Sequence, residues 1–294
     1  MEIKSGIPPI PTEEIERLLR ESAPEIWRHI AIISLGGNQA FSGVFAKSFG
    51  YDGILTAAHS AEQFLTDERV ALAVSEESHR LIVSSTDFDH VRVGYDEVEG
   101  YTNSQPDLSF VIIKNPDLLR LIRNLKLSFY DLDIAAAGVK EVLLNPEKPF
   151  ARFNWSVAGC PRAQVEIANQ LIEGQAREII TNPTALIQGS LVEWYSDPAN
   201  NFDYLKLYLG SGFEEFPDDY DGMSGGGIWY QMFLTEDGIN FAVKPILAGV
   251  ARWQSAMTVK DGYKIRCITG HAWVSIYGHV RRILAEKRAA ESRA

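Results

Sequence analysis

From residue 30 onward the chain is a succession of short apolar runs, each cut off by Gly, Asn or Asp. Runs of this length are too short for packed helices and match strands that cross a sheet once and turn. Six fall before residue 115, at 31–35, 43–47, 53–57, 70–74, 81–84 and 109–113. Closing six antiparallel strands into a barrel removes their exposed edges. Residues 115–149 are more helical and polar, with Leu118, Leu119, Ile122 and Leu125 at helical spacing, and read as the crossing between two lobes. A second set of six runs follows, at 156–159, 186–194, 204–209, 226–230, 246–253 and 264–268.

The ends of the chain are different. Pro8, Pro9 and Pro11 make the first eleven residues an extended arm. Thr12 then reads as an N-cap, with Glu13, Glu14 and Glu16 in the first turn, where the helix dipole favours acids. Ile15, Leu18 and Leu19 form its apolar stripe, and Pro24 marks its end. That helix packs on the body or binds a partner. Trp273, Ile276, Tyr277, Val280, Ile283 and Leu284 share one face of a closing amphipathic helix. The expected fold is therefore all-β: two antiparallel six-stranded β-barrels with an N-terminal and a C-terminal helix. Its divisions are 1–26 for arm and helix, 27–125 for the first barrel, 126–270 for the second and 271–294 for the last helix.

Three short strings carry the chemistry. Gly222-Met223-Ser224-Gly225-Gly226-Gly227 sets a serine in a glycine-rich turn. A hydroxyl there is a weak nucleophile at neutral pH unless an imidazole takes its proton and a carboxylate orients that imidazole. His59 follows Leu55-Thr56-Ala57-Ala58, and Asp107 follows Gln105-Pro106 and precedes an apolar run. Taken singly, these are a core histidine at a strand end, a turn aspartate and a plain loop. Their joint occurrence, at separations of 48 and 117 residues, reads as a Ser-His-Asp triad.

These residues resemble the trypsin/chymotrypsin-like serine proteases, as an intracellular, disulfide-poor member. The His59 string matches the family's histidine motif, Gly222-Met223-Ser224-Gly225-Gly226 its Gly-x-Ser-Gly-Gly core, and Ala248-Gly249-Val250-Ala251-Arg252-Trp253 the strand beside its specificity pocket. The order His, Asp, Ser is that of the family. The resemblance implies two chymotrypsin-like barrels with the triad in the cleft between them, and a C-terminal helix packed on the second. It also implies an oxyanion hole from the N–H groups of Gly222 and Ser224, and a substrate pocket involving Asp218, Arg252 and Trp253. Met223 departs from the aspartate that many relatives carry there, so an ion pair with a newly cut N-terminus is not the expected switch. Arg252 replaces a usually small residue; it neutralises Asp218 or draws acidic side chains.

Composition bounds the setting. The net charge of -11 argues against a general nucleic-acid binder. No apolar run approaches the ~20 residues of a membrane span, and the first residues hold no apolar signal core. Cys160 and Cys267 are the only cysteines, which fits a reducing compartment and a cytoplasmic setting, with a single bridge as the alternative. Glu214, Glu215, Asp218, Asp219 and Asp221 form an electronegative mouth, a solvated acidic loop or a metal site. The histidines at 29, 79, 90, 271 and 279 lack metal-ligand spacing, and His271 and His279 read as helix-surface residues. No cofactor is implied. The expected activity is that of a serine endopeptidase acting on a protein or peptide substrate through an acyl-enzyme, preferring Arg or Lys before the cut, with an activating protein partner as an open option. A peptide-binding pseudoprotease and a triad esterase are the alternatives.

Overall fold

The computed structural model describes residues 11–34, 40–66, 70–73, 80–94, 106–144, 150–161, 166–172, 175–181, 185–210, 220–234, 242–256, 258–260 and 263–293. Residues 1–10 of the proline arm, Asp218 and most of the acidic loop lie outside them, and Pro11, not Thr12 as expected, is the N-cap of the first helix, without a side-chain cap. Helix α1 spans Thr12–Trp27. Pro24 does not end it, contrary to expectation. The missing N–H leaves the helix short of one hydrogen bond, but Ala23 and fully buried Ile26 hold that last turn against the core.

The first unit pairs antiparallel strands β1 (Ile30–Ser34), β2 (Ala40–Ser48), β3 (Tyr51–Thr56), β4 (Val70–Ala73), β5 (Arg80–Val83), β6 (Phe88–Val93) and β7 (Leu108–Ile113). They lie in the order β5-β4-β1-β2-β3-β7-β6, and β8 (Tyr130–Asp131) adds to β2 in parallel. The sheet thus has two strands beyond the six expected, β6 and β8. Phe88–Val93 escapes a period-2 reading because Asp89, His90 and Arg92 interrupt its apolar residues, of which Phe88, Val91 and Val93 are buried. Helices α2 (Ala58–Thr66), α3 (Pro116–Asn124) and α4 (Leu132–Leu144) complete this part.

The second unit is a closed barrel. Strands β9 (Phe150–Gly159), β12 (Ala185–Asp197), β13 (Phe202–Gly210), β14 (Gly227–Leu234), β15 (Ala242–Gln254) and β17 (Tyr263–His271) run β13-β12-β9-β14-β15-β17, and β17 returns to β13. All six are strands expected from the apolar runs. Strands β10 (Glu166–Ile172) and β11 (Gln175–Thr181) form a separate hairpin, and β16 (Thr258–Lys260) adds to β17. The chain is therefore mostly β, a closed six-stranded barrel beside a second antiparallel sheet, consistent with the chymotrypsin-like two-barrel fold.

Strand side chains explain how the two units meet. Along β1, Ala31 and Ile33 join a core made with α2 and α3, while Ile30 and Ile32 join a core continuous with Trp155, Val157 and Ile228 of the second barrel. Strand β7 divides in the same way, Val111 and Ile113 on one side and Leu108, Phe110 and Ile112 on the other. Strands buried on both faces are mainly apolar, as these are apart from the buried Ser34 and Ser109.

The termini cross over between units. Leu18 and Leu19 of α1 pack on Phe233 and Val243 of the second barrel. At the other end, Val274–Val280 is a π-helix that leads into α5 (Arg281–Glu291). Lys287 pairs with Asp89 at 2.8 Å and Tyr51 Oη donates to Glu291 at 2.6 Å, so α5 ties to the first unit. It is the π-helix before it that meets the second barrel expected to carry the whole segment, the Ser275 N–H donating to Asp203 Oδ1 at 2.7 Å.

Candidate active site

The site is assembled from four elements. Strand β3 ends at Thr56, and two residues later α2 begins, placing His59 in its first turn. Asp107 lies immediately before β7 and is only 2% exposed. Ser224 sits in the turn before β14, and β15 runs past it. The structure brings the three sequence-selected residues together. Ser224 Oγ is 2.9 Å from His59 Nε2, and His59 Nδ1 is 2.7 Å from Asp107 Oδ2.

Asp107 holds His59 twice, because its other oxygen accepts the His59 backbone N–H at 2.9 Å. Burial alone would raise the Asp107 pKa, but the hydrogen bonds from His59 outweigh it and hold the carboxyl below the ordinary range. The carboxylate is therefore ionised near neutrality and can only accept. That fixes the proton of a neutral His59 on Nδ1 and leaves Nε2 as an acceptor facing Ser224.

The serine loop is built to a tight geometry. Gly225 has φ +85°, and a Cβ there would lie 2.0 Å from Thr56 Oγ1 and 2.1 Å from Ser42 O. Only glycine meets both demands. Ser42 of β2 ties the loop down: its N–H donates to Ser224 O at 3.1 Å, and its Oγ donates to Gly222 O at 2.7 Å. The same Oγ accepts from the Cys160 N–H at 2.9 Å. Met223 is 1% exposed, so an apolar side chain anchors the position where the resemblance has an acid. The Met223 N–H donates to Tyr220 O at 3.0 Å. By contrast, the N–H groups of Gly222 and Ser224 have no protein acceptor among the described residues. Those are the two amides expected to face an oxyanion.

The cleft around Ser224 is lined by His59, Tyr220, Met223, Gln254 and Ile268, with Arg252 and Trp253 on the same wall. Trp253 is 53% exposed. Gln254 Oε1 accepts from the Tyr220 N–H at 2.9 Å and from Arg266 Nη1 at 2.8 Å, which fixes its side chain beside the cleft. Asp218, expected at the pocket base, lies outside the described residues.

Two features lay beyond sequence reasoning. His271 is not on a helix surface: it ends β17, is fully buried, and its Nε2 accepts the Asp107 N–H at 3.1 Å. Burial, reinforced by the nearby Arg252 charge, pushes its pKa down to about 3, so it stands behind Asp107 as a neutral ring. Its burial depends on strand pairing across the barrel, which residue order does not display. Ser42 was missed because it is an ordinary strand serine until the Gly222 loop is folded onto it. His279 stacks on Phe202 at 4.1 Å between ring centroids, part-covered on the π-helix. Cys160 and Cys267 are both buried free thiols. Among the described residues there is no group of acidic, histidine or cysteine side chains that could hold a metal, and no helix long and apolar enough to cross a membrane.

No protein-family model matches the chain, and no curated protein matches it. Among solved structures, it is similar to the protease Anisep from Arthrobacter nicotinovorans, at 13% identity over 88% of this chain and 96% of that one, with a TM-score of 0.39. It is also similar to the thermostable serine protease AL20 from an extremophilic microorganism, at 12% identity over 83% of this chain and 91% of that one, with a TM-score of 0.34.

Proposed function

We propose that this chain is a serine endopeptidase. The observation that carries the reading is the continuous line from Ser224 Oγ through the His59 ring to buried Asp107, at 2.9 and 2.7 Å. Ser224 Oγ attacks the peptide carbonyl carbon while His59 Nε2 takes its proton. Negative charge then gathers on the former carbonyl oxygen, where the N–H groups of Gly222 and Ser224 receive it. As the C–N bond breaks, His59 returns the proton to the departing amine, leaving an acyl group on Ser224. Water, activated by the same imidazole, attacks the acyl carbon and frees the hydroxyl. Asp107 stays ionised throughout, holding the ring and balancing its charge.

The hydroxyl has a second acceptor, because Ser224 Oγ also lies 2.7 Å from the Arg252 carbonyl oxygen. A single O–H proton serves one acceptor at a time. With His59 neutral, Nε2 receives it and the nucleophile is primed. With His59 protonated, Nε2 becomes a donor and the hydroxyl turns to Arg252 O, an arrangement that cannot attack.

Protein or peptide substrates, a preference for Arg or Lys before the cut and a cytoplasmic setting belong to the same proposal. The preference depends on Asp218. Ser42 and Met223 hold the serine loop without a freed N-terminus, which favours activity at rest over partner activation. Digestion of a peptide library and of esters by wild type and Ser224→Ala tests the activity and the preference together. Products cut after Arg or Lys by wild type alone are expected. Intact amides beside hydrolysed esters would make the chain an esterase, and intact substrates of both kinds would make it a peptide-binding protein.

A further inference from the structure

We propose that Arg252 is a positioning residue of this site rather than a contact for substrate side chains. Its guanidinium braces the Asp107 carboxylate from behind while its carbonyl offers Ser224 a second acceptor. The inference rests on the triad reading above and concerns how that triad is held.

The first observation is a break in the sheet. Between β15 and β17, Ala251 pairs with Gly270 and Trp253 pairs with Thr269, leaving Arg252 as the extra residue of a β-bulge. Bulges re-aim a side chain and bend the strand that carries it. Here Trp253 is left half-open to solvent, whereas the Arg252 side chain is only 16% exposed. A side chain meant to meet substrate charges in open water has no need of that inward turn.

The second observation is where the guanidinium ends. Arg252 Nε lies 4.0 Å from Asp107 Oδ2, the oxygen that also receives His59 Nδ1. The group rests over the Tyr204 ring, 5.8 Å from its centroid, which supplies a flat, partly dry seat for a cation. At 4.0 Å the contact is an ion pair without a direct hydrogen bond. Its weight comes from setting: the Asp107 side chain is 3% exposed, and charges out of water interact more strongly than surface pairs. Among the described residues, the other titratable groups against Asp107 are His59 and His271, and His271 meets its backbone N–H. Arg252 thus supplies the permanent cation beside a buried carboxylate.

The third observation is the 2.7 Å contact from Ser224 Oγ to the Arg252 carbonyl. The same bulged residue therefore touches the nucleophile through its backbone and the carboxylate through its side chain. Both ends of the triad are referenced to one point on β15.

The test compares wild type, Arg252→Gln and Arg252→Lys, each checked for a native circular dichroism spectrum and cooperative unfolding. With a neutral ester substrate, Arg252→Gln is expected to lower kcat about tenfold while KM changes by less than about twofold. Arg252→Lys keeps the charge and is expected to recover most of the loss. Proton NMR supplies a readout that needs no turnover: the downfield His59 Nδ1–H signal should broaden or shift in Arg252→Gln and persist in Arg252→Lys. Equal kcat and an unchanged signal in Arg252→Gln would overturn the proposal. So would a loss confined to KM and to substrates with acidic side chains, which would return Arg252 to substrate binding. A wild type inactive on every substrate would instead defeat the protease reading, and the NMR comparison would still decide the role of Arg252.

Discussion

At the scale of single residues, the site depends on controlling protons in places water does not reach. Asp107 is kept ionised by its hydrogen bonds, and His271 behind it is kept neutral by burial. A base whose folded pKa of about 3 lies below its ordinary 6.5 gains its proton first in the unfolded chain. Its contribution to stability is therefore complete above pH 6.5 and is lost as pH falls toward 3. Asp107 acts in the same direction at lower pH, since a depressed carboxylate loses its contribution only as pH falls through its folded pKa. Replacing His271 with Gln keeps an acceptor for the Asp107 N–H and removes the titration. Urea unfolding measured from pH 7 to 4 should then show a shallower loss of stability in His271→Gln, by up to about 1.4 kcal/mol per pH unit. Parallel curves for the two proteins would show that His271 takes up its proton at the same pH folded as unfolded, so that burial does not depress it. The meeting of His59, Asp107 and Ser224 was readable from the sequence because three short strings, each ordinary alone, occur together in one order. His271 was not, because its surroundings are assembled from β17, the segment before β7 and the bulge of β15.

At the scale of elements, the serine turn is fastened from the opposite unit. Ser42 lies on β2, yet its Oγ and N–H both hold the loop that precedes β14. Ser42→Ala removes a fully buried hydroxyl that serves Gly222 O and the Cys160 N–H together. Leaving those two groups without a partner should lower unfolding stability by about 1–3 kcal/mol. Because Gly222 then loses its anchor, turnover should fall about tenfold in protein that is still folded. Full activity in a destabilised Ser42→Ala would mean that the loop keeps its shape unaided. The runs of the second barrel were legible as strands because each keeps apolar residues at strand spacing between turn residues, even across Glu193, Lys206 or Arg266. Phe88–Val93 was hidden by Asp89, His90 and Arg92, which fall on both faces among buried Phe88, Val91 and Val93, and α1 passes through Pro24 because Ile26 is held by packing that a breaker rule does not weigh. The bulge at Arg252 lies wholly in pairing, so the string Ala251-Arg252-Trp253 gives no hint of which way each side chain faces.

At the scale of the whole molecule, function depends on two units meeting. His59 and Asp107 come from the first, and Ser224 with its β15 support comes from the second. Their relative placement is fixed by a shared core that alternate residues of β1 and β7 enter. It is also fixed by crossed termini: α1 packs on the second barrel, while α5 ties to Asp89 and Tyr51 of the first unit. A cleft so braced can keep a nucleophile and its base at 2.9 Å without a bound partner. The most direct check is labelling by a fluorophosphonate, with the modified peptide mapped by mass spectrometry in wild type, Ser224→Ala and His59→Ala. Wild type should be labelled on Ser224 alone, Ser224→Ala not at all, and His59→Ala more slowly by at least about a thousandfold. Absence of labelling in wild type, or equal rates in wild type and His59→Ala, would contradict the account.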